Sequence, residues 1–295
     1  MLLEAYLNNY YQSKPKAKDL WFYYSSNLEQ PQFSVFSNYT GQVPIDTDDL
    51  IEAVNKGSIT PEEKEEILRI EEKSRMRRQK ENKALGKLKA MGVQEGGEFE
   101  SNNGVYIIAN GSIILKKCLV TTGEFTIASF ANGMVRSGMG LRSPFADCED
   151  IKVISKGDNI ISLESAFEYC EKLKKVDLTE FNTSEVVTIF NLFRNCENLT
   201  EVKLNGINTS NLKDARAVFR GCISLESIDI SELDLSNVRS MSEMFFGCFN
   251  LKKIHMKDKV NDKVEDVRGI LHSCERIGDF DITRYVDSTK VKRWI

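Results

Sequence analysis

The stretch from residue 244 to residue 254 decides the fold, and it reads Met244-Phe245-Phe246-Gly247-Cys248-Phe249-Asn250-Leu251-Lys252-Lys253-Ile254. It is one copy of a unit that recurs through the second half of the chain. Cysteines recur at one constant interval in this region, each 26 positions after the previous one: Cys170, Cys196, Cys222, Cys248 and Cys274. A disulfide framework joins irregular loops and does not space cysteines so evenly. A fixed period of about 20 to 50 residues is instead typical of a solenoid.

The residues around each cysteine repeat with the same period. Three positions before the cysteine stands a large apolar residue: Phe145, Phe167, Phe193, Phe219, Phe245 or Leu271. Six positions after it stands another: Ile154, Val176, Val202, Ile228, Ile254 or Phe280. One unit of this length cannot close a core alone, so stacked copies would bury these positions as continuous ladders.

Within a unit, the pattern changes from a helical period to a strand period. Leu163, Ala166, Phe167 and Cys170 have the spacing of one face of a helical turn or two. Val176-Asp177-Leu178 then alternates as a half-buried strand does. The sequence therefore predicts an α/β repeat solenoid, leucine-rich-repeat-like, with about six units over residues 142–295.

These units resemble the BspA-like class of leucine-rich repeats. Leu173-x-x-Val176-x-Leu178 fits the strand pattern of leucine-rich repeats, and the stretch 244–254 is similar to BspA-like units. That class occurs in bacterial surface proteins and some phage proteins. The resemblance implies a curved solenoid that recognises partners through its concave face and performs no chemistry.

Residues 1–46 form an aromatic segment that prolines break into short pieces. Ten of the 27 aromatic residues lie in the first 39 positions. Tyrosine and tryptophan are favoured interface anchors, so one interpretation is an extended arm that docks on a larger assembly. Its candidate anchoring residues are Tyr10, Tyr11, Trp21, Phe22, Tyr23 and Tyr24. The other interpretation is a small aromatic core folded against its own chain.

Residues 47–92 predict a helical hairpin with a long charged second helix. Thr60-Pro61-Glu62-Glu63 is a capping box with proline at the first helical position, and Gly92 would end the helix. Its acidic residues are interspersed with the basic ones, which argues against nucleic acid as a partner. Residues 56–68 also resemble the short helix–turn–helix signature of XkdX-type phage tail proteins.

Residues 97–141 predict a β-rich cap over the open end of the solenoid. Residues 105–109 and 112–115 flank Asn110-Gly111, a strong two-residue hairpin signal. Residues 125–128 predict a third strand. Because solenoid contacts run between neighbouring repeats, we expect residues 96–295 to fold without residues 1–95.

The composition gives little support to an enzyme. Net charge is −4, and the whole chain has only two histidines, His255 and His272. The chain lacks GxSxG, HExxH and P-loop motifs. The cysteines could bind metal or act in redox chemistry, but CxxC is absent and each repeats beside a phenylalanine, so buried apolar positions explain them better. We therefore expect no enzymatic activity, no metal and no cofactor.

The candidate binding face consists of the strand residues that flank the buried positions. Its members are Lys174, Lys175, Asp177, Glu201, Lys203, Glu226, Asp229, Lys252, Lys253, His255 and Lys257. Acidic positions lie beside basic ones, which suits a protein or a glycan on a cell surface. Solvated strand faces are charged in any solenoid, so this pattern alone does not establish binding.

We expect no export signal, because the first residues lack a basic region followed by an apolar core, and no membrane span, because no apolar run is long enough. We expect a virion or a tail-like particle made in the bacterial cytoplasm, with residues 1–95 as the anchor and the solenoid as the recognition surface. The alternative is an intracellular or surface-associated bacterial leucine-rich-repeat scaffold or adhesin that binds a protein partner.

Overall fold

The computed structural model describes residues 55, 60–109, 112–128, 131, 133–134, 142–157, 160, 162–257, 261–287 and 289. The chain divides into two compact units, Met1–Asn82 and Lys83–Ile295. The predicted aromatic arm and all six candidate anchoring residues lie outside the described residues. So does the first helix of the predicted hairpin, apart from residue 55.

Helix α1 spans Pro61–Ala90, where the sequence predicts the long charged helix. The turn that stops the helix contains Gly92, whose positive φ of 86° suits glycine because glycine has no Cβ. The Val93 amide then donates to the Leu88 carbonyl at 3.0 Å, which satisfies one of the last carbonyls of the helix. Leu85, in the part of the helix that belongs to the second unit, is buried in that unit's core.

The segment after the helix forms a small sheet. Its strands, in chain order, are β1 (Glu98–Ser101), β2 (Gly104–Ala109), β3 (Ser112–Cys118) and β5 (Gly133–Met134), and they lie side by side in that order. The antiparallel pair of β2 and β3 is the hairpin that the sequence predicts. Tyr106 is fully buried between the strands, and its hydroxyl accepts a hydrogen bond from the Ala128 amide at 2.9 Å.

Five further parallel strands, one from each successive coil, make the ladder on one side of the solenoid. They are β6 (Asp150–Ile154), β7 (Lys175–Asp177), β8 (Glu201–Lys203), β9 (Ser227–Asp229) and β10 (Lys253–His255). The register pairs residues one repeat apart, such as Val176 with Val202. β4 (Thr122–Thr126) joins this ladder through β6, so one sheet runs β4-β6-β7-β8 and a second pairs β9 with β10.

The strand predicted at 125–128 therefore belongs to the repeat ladder and does not pair with the β2–β3 hairpin. Phe125 is buried and packs edge-to-face on Phe145, with ring centroids 6.0 Å apart. The interval from Cys118 to Cys148 is longer than the constant interval of the later cysteines, so this first coil does not share the period that identified the others.

The predicted helical turns of the repeats are wrong, and the described repeats form a β-solenoid with very little helix. Ser165 and Tyr169 have left-handed backbone, with φ of 56° and 57°. The amides of Leu163, Ser165, Phe167 and Tyr169 donate to carbonyls of the next coil at 2.8–3.0 Å. An α-helix would direct these amides back along its own chain and leave the coils without bonds between them. The apolar residues with helical spacing are the ones that these turns direct into the core, so the spacing indicates burial and not a helix.

The core is a set of stacked ladders, one for each repeated apolar position. The rings of Phe145, Phe167, Phe193, Phe219 and Phe245 stack in sequence, with centroids 4.4, 5.2, 5.6 and 5.6 Å apart. The cysteine ladder runs beside them, and all seven cysteines are buried and free of disulfides. The repeat region is thus a leucine-rich-repeat-like solenoid whose coils join residues 26 positions apart, the interval that the cysteines predict.

Candidate functional site

The strand face is the outward side of β6 to β10 and of the residues next to them, and it carries every predicted binding residue. Nine of these residues are exposed, while Asp177 and Glu201 are half-buried. The strand centres Val176, Ile228 and Ile254 point into the core. Alternation along each short strand therefore places the flanking side chains outward, and the inter-coil register aligns them in rows.

Opposite charges on the strand face pair across neighbouring coils. The Lys175 ammonium lies 3.1 Å from a Glu201 carboxylate oxygen, and Lys252 lies 2.8 Å from Glu226. Lys203 contacts Asp177 at 3.9 Å. Further pairs join Lys174 to Glu149 and Lys152 to both Glu124 and Glu180. The acidic and basic rows that the sequence shows are thus largely neutralised by each other.

These ion pairs lower the pKa values of their glutamates, as a nearby positive charge is expected to do. The hydrogen bond from Lys175 lowers the pKa of Glu201, and the one from Lys252 lowers the pKa of Glu226. Lys152 does the same to the pKa of Glu180. Each carboxylate is therefore held ionised, as a fixed charge rather than as a proton donor.

Three aspartates at equivalent positions of the repeat have a structural role that sequence reasoning missed. The Asp229 carboxylate accepts hydrogen bonds from the Ser231 amide and hydroxyl at 2.9 and 2.6 Å, which lowers its pKa. Asp177 with Thr179, and Asp281 with Thr283, repeat this motif. The signal in the sequence is Asp-x-Ser or Asp-x-Thr directly after the apolar position six residues beyond the cysteine. Asp177 and Asp229 fix the turns that follow β7 and β9, and Asp281 caps the short 3-10 helix Ile282–Arg284.

Charge compensation ends at the last strand of the ladder. Lys253 and Lys257 are exposed and make no ion pair with any residue that the structure describes. His255 is exposed between them and lies opposite Asp229 of β9. This end of the strand face therefore differs in its electrostatics from the coils before it.

Arginine and aromatic side chains form a second row, on the turns of the solenoid, that sequence reasoning also missed. The Arg216 guanidinium lies over the Phe190 ring at 4.7 Å from its centroid, and it also binds Asp214 at 2.7 Å. Arg220 lies over Phe246 at 4.5 Å and pairs with Glu243. Because each arginine has an acidic partner, this row has little uncompensated charge.

The cysteines are built into the core as hydrogen-bond donors. The thiols of Cys196, Cys222, Cys248 and Cys274 donate to phenylalanine carbonyls of the preceding coil at 2.9–3.1 Å. Burial raises the pKa of Cys222, and it raises the pKa of Cys248 to about 12. A thiol that stays protonated is neither a nucleophile nor a metal ligand.

No group of three or more His, Cys, Asp or Glu residues in the described part of the chain is arranged to hold a metal ion. His272, the histidine near Cys274, stacks on Phe246 with ring centroids 4.9 Å apart. Among the described helices, none is both long and apolar enough to cross a membrane.

Comparisons with known proteins match the repeat region. The family described as "Mycoplasma protein of unknown function, DUF285" matches residues 161–284. No curated protein matches the chain. None of the matches supports the resemblance of residues 56–68 to XkdX-type phage tail proteins.

Three similar solved structures are bacterial leucine-rich repeat proteins. The one from Eubacterium ventriosum has 17% identity and a TM-score of 0.38 over 63% of this chain and 54% of its own. The T. pallidum protein has 17% identity and a TM-score of 0.27, over 62% and 91%. The Bacteroides ovatus protein has 14% identity and a TM-score of 0.18, over 61% and 72%. This chain thus spans about half the length of the Eubacterium ventriosum protein, and the coil geometry described above defines its fold.

Proposed function

We propose that the strand face is a protein-interaction surface and that the repeat region is a non-enzymatic binding scaffold. The observation that carries this proposal is the array of exposed charged side chains on five strands from consecutive coils, β6 to β8 in one sheet and β9 with β10 in a second. Side chains held in ion pairs and backbone ladders lose little conformational entropy when a partner binds. The resemblance of the units to BspA-like repeats supports the same function.

A protein partner fits this surface better than a small molecule does. Neighbouring strands lie about 4.8 Å apart, so five strands present a row of charges longer than a small ligand can contact. The thiols are buried and hydrogen-bonded, which leaves the strand face without a nucleophile of that kind. The alternating charges also favour a polar partner whose own charged groups have a matching spacing, because complementary charges fix how two proteins align.

Site-specific photo-crosslinking tests this proposal in the full-length protein. A photoreactive amino acid replaces Lys203 on the strand face or, as the control, Glu265, which is exposed and lies outside the strands. We expect one partner protein to crosslink in the native source through position 203 and not through position 265. Equal crosslinking from both positions, or none from 203, would overturn the proposal.

For residues 1–95 we propose attachment to a larger assembly through the aromatic segment. A virion or tail-like particle and a bacterial scaffold are the two assemblies that the sequence suggests. The proposal rests on the aromatic residues alone. Trp21→Ala should abolish co-purification with the assembly and leave the melting of the solenoid unchanged, since a truncated hot spot typically costs about 2 kcal/mol or more. Retention of Trp21→Ala in the assembly would contradict it.

A further inference from the structure

The outer edge of β10 is the place where the strand ladder stops. Each of β6 and β7 pairs on this side with the strand of the next coil. At β10 the Gly278 amide still donates to the Lys252 carbonyl at 3.2 Å. Residues 279–281, which would form the next strand, leave the ladder, and among the described strands only β9 pairs with β10. The backbone of β10 therefore presents an edge to which another strand could add.

A groove opens where the last coil leaves the ladder. Its volume is about 660 Å³, and it lies between β10 and residues 277–285. Its apolar wall includes Phe280 and Tyr285, whose rings stack with centroids 5.3 Å apart. Ile254, whose side chain is buried in the core, also borders the groove. An extended peptide that lies in this groove could bond to the edge of β10 and place an apolar side chain against this wall.

The rim of the groove is basic. Lys252, Lys253, Lys257 and Arg284 line it, together with His255, against the acidic Asp279 and Asp281. Lys253 and Lys257 make no ion pair with the described residues, in contrast to Lys152, Lys174, Lys175 and Lys203 earlier on the strand face. The Asp281 carboxylate is already occupied by Thr283. Among the described residues, Lys253 and Lys257 therefore have no acidic partner that an incoming carboxylate would have to displace.

We infer that this groove binds an extended acidic segment of the partner protein, which adds as a strand to the edge of β10. The inference rests on the proposed function and specifies one contact of it. Main-chain hydrogen bonds would supply affinity, as in other cases of strand addition, and side-chain contacts would supply specificity. Carboxylates on the segment would pair with Lys253 and Lys257, and apolar residues between them would face Phe280.

Lysines at a sheet edge can also protect it against aggregation. This second explanation for Lys253 and Lys257 predicts a different result when they are removed. If Lys253 and Lys257 only protect the edge, their removal should cause self-association of the protein. If they bind an acidic segment, their removal should weaken peptide binding and leave the protein in its original oligomeric state.

The test measures binding of a labelled synthetic peptide, Glu-Glu-Val-Asp-Val-Glu-Glu with blocked ends, to the full-length protein by fluorescence anisotropy. We expect saturable binding that K253Q/K257Q weakens by about tenfold or more, because two charge-assisted contacts are lost. The matched variant K174Q/K175Q removes the same charge from the same face and should change Kd less than about twofold, since those lysines already have partners. Thermal melts verify that both variants are folded.

Two further peptides separate strand addition from charge attraction alone. A peptide with N-methyl groups at alternate backbone nitrogens keeps its charge but cannot form the ladder, so it should bind more weakly than the unmodified peptide. A peptide with lysine in place of every acidic residue should not bind. Equal affinity of the methylated and unmodified peptides, or no binding of the acidic peptide at all, would overturn the inference.

Sedimentation of the protein alone completes the test. Concentration-dependent self-association of the unchanged protein that is lost in K253Q/K257Q would show that the groove binds a second copy of this chain. Self-association that appears only in K253Q/K257Q would show that the two lysines protect the edge. Either result overturns the inference. If the partner still crosslinks through position 203 while the acidic peptide fails to bind, the proposed function stands and this inference fails.

Discussion

At the scale of single residues, the cysteine ladder shows how a small polarisable side chain can be both apolar filler and hydrogen-bond donor. Each thiol from Cys196 onward donates to a phenylalanine carbonyl of the preceding coil. That carbonyl also accepts from a cysteine amide of its own coil, as Phe193 does from Cys196 at 3.1 Å. The thiol is therefore a second donor to the carbonyl, and it satisfies its own hydrogen-bonding capacity inside an apolar core.

We predict that Cys170, Cys196, Cys222 and Cys248 of the native protein do not react with a disulfide reagent at pH 8. Burial keeps these thiols from the reagent, and the raised pKa of Cys196, Cys222 and Cys248 keeps those three protonated. The release of the coloured thiolate from the reagent measures the reaction, and denaturant should expose all four. A Lys203→Cys variant supplies an exposed thiol that should react at once. Rapid labelling of these four cysteines in the native protein would show that the cysteine ladder is not buried.

The stacked phenylalanines make a second prediction. Phe219 is fully buried between Phe193 and Phe245, so Phe219→Ala should lower the free energy of unfolding by about 3–5 kcal/mol. Phe249 is 46% exposed, and Phe249→Ala should change stability by less than about 1 kcal/mol. Urea unfolding followed by circular dichroism measures both. Similar losses for the two variants would be inconsistent with the ladder.

Two glycines of the turns allow a matched comparison. Gly221 and Gly247 have almost the same left-handed backbone, with φ of 73° and 72°. Alanine at either position should lower the free energy of unfolding by about 1–2 kcal/mol, because a residue with a Cβ is strained in left-handed backbone. A Cβ at Gly221 would also overlap the Asn195 side chain, whereas at Gly247 the nearest atom is 3.9 Å away.

Gly221→Ala should therefore destabilise the protein more than Gly247→Ala in urea unfolding. A double-mutant cycle with Asn195→Ala should recover the difference, because it removes the overlapping side chain. Equal losses for the two glycine variants would mean that Asn195 moves aside without cost.

At the scale of elements, the ion pairs between coils make stability depend on pH. Hydrogen bonds from lysines lower the pKa of Glu180, Glu201 and Glu226 in the folded state. The unfolded-state pKa of glutamate is about 4.3, so the stabilisation is complete above that value and is lost as pH falls through the lower folded-state pKa.

The melting temperature should therefore fall as pH decreases from 5 to 3, and it should fall less steeply in E180Q/E201Q/E226Q. The control is E171Q/E197Q/E275Q, whose glutamates are exposed and make no ion pair with the described residues. The melting temperature of this control should depend on pH as steeply as that of the unchanged protein. Because these pairs lie at the surface and remain in contact with solvent, 1 M salt should reduce the difference between the two variants. Identical slopes for both variants would contradict the role of the pairs.

At the scale of the whole molecule, the start of the folded repeat unit lies earlier than the sequence suggested. That residues 96–295 fold without the preceding residues stays a prediction, but such a fragment lacks Leu85, which is buried in the core of the second unit. Leu88 and Val93 pack against the same core. The second compact unit begins at Lys83.

A fragment that starts at Lys83 should therefore melt close to the full-length chain, while one that starts at Gly96 should melt at a lower temperature. Loss of a buried leucine side chain alone typically costs about 2 kcal/mol or more. Leu85→Ala in the full-length chain is the matched single change and should lower stability in the same direction. Equal melting of the two fragments would show that Leu85 does not contribute to the core.

The sequence by itself determined the repeat, its period and the inward positions. The constant interval between cysteines and a phenylalanine three places before most of them are enough, because stacked coils place equivalent residues side by side. The strand centres Val176, Ile228 and Ile254 follow from alternation alone. The exposed residues of the strand face could be predicted for the same reason.

Only the tertiary structure decided the conformation of the turns, the charge pairs and the end of the ladder. Ser165 and Tyr169 are not residues that favour left-handed backbone, and hydrogen bonds to the next coil are what hold the turn there. The pair of Lys175 and Glu201 depends on the inter-coil register, which joins equivalent positions of neighbouring repeats. The groove at β10 exists because residues 279–281 leave a ladder that their repeat position would let them continue. In each case the deciding interactions join residues far apart in the chain, so local sequence pattern does not contain them.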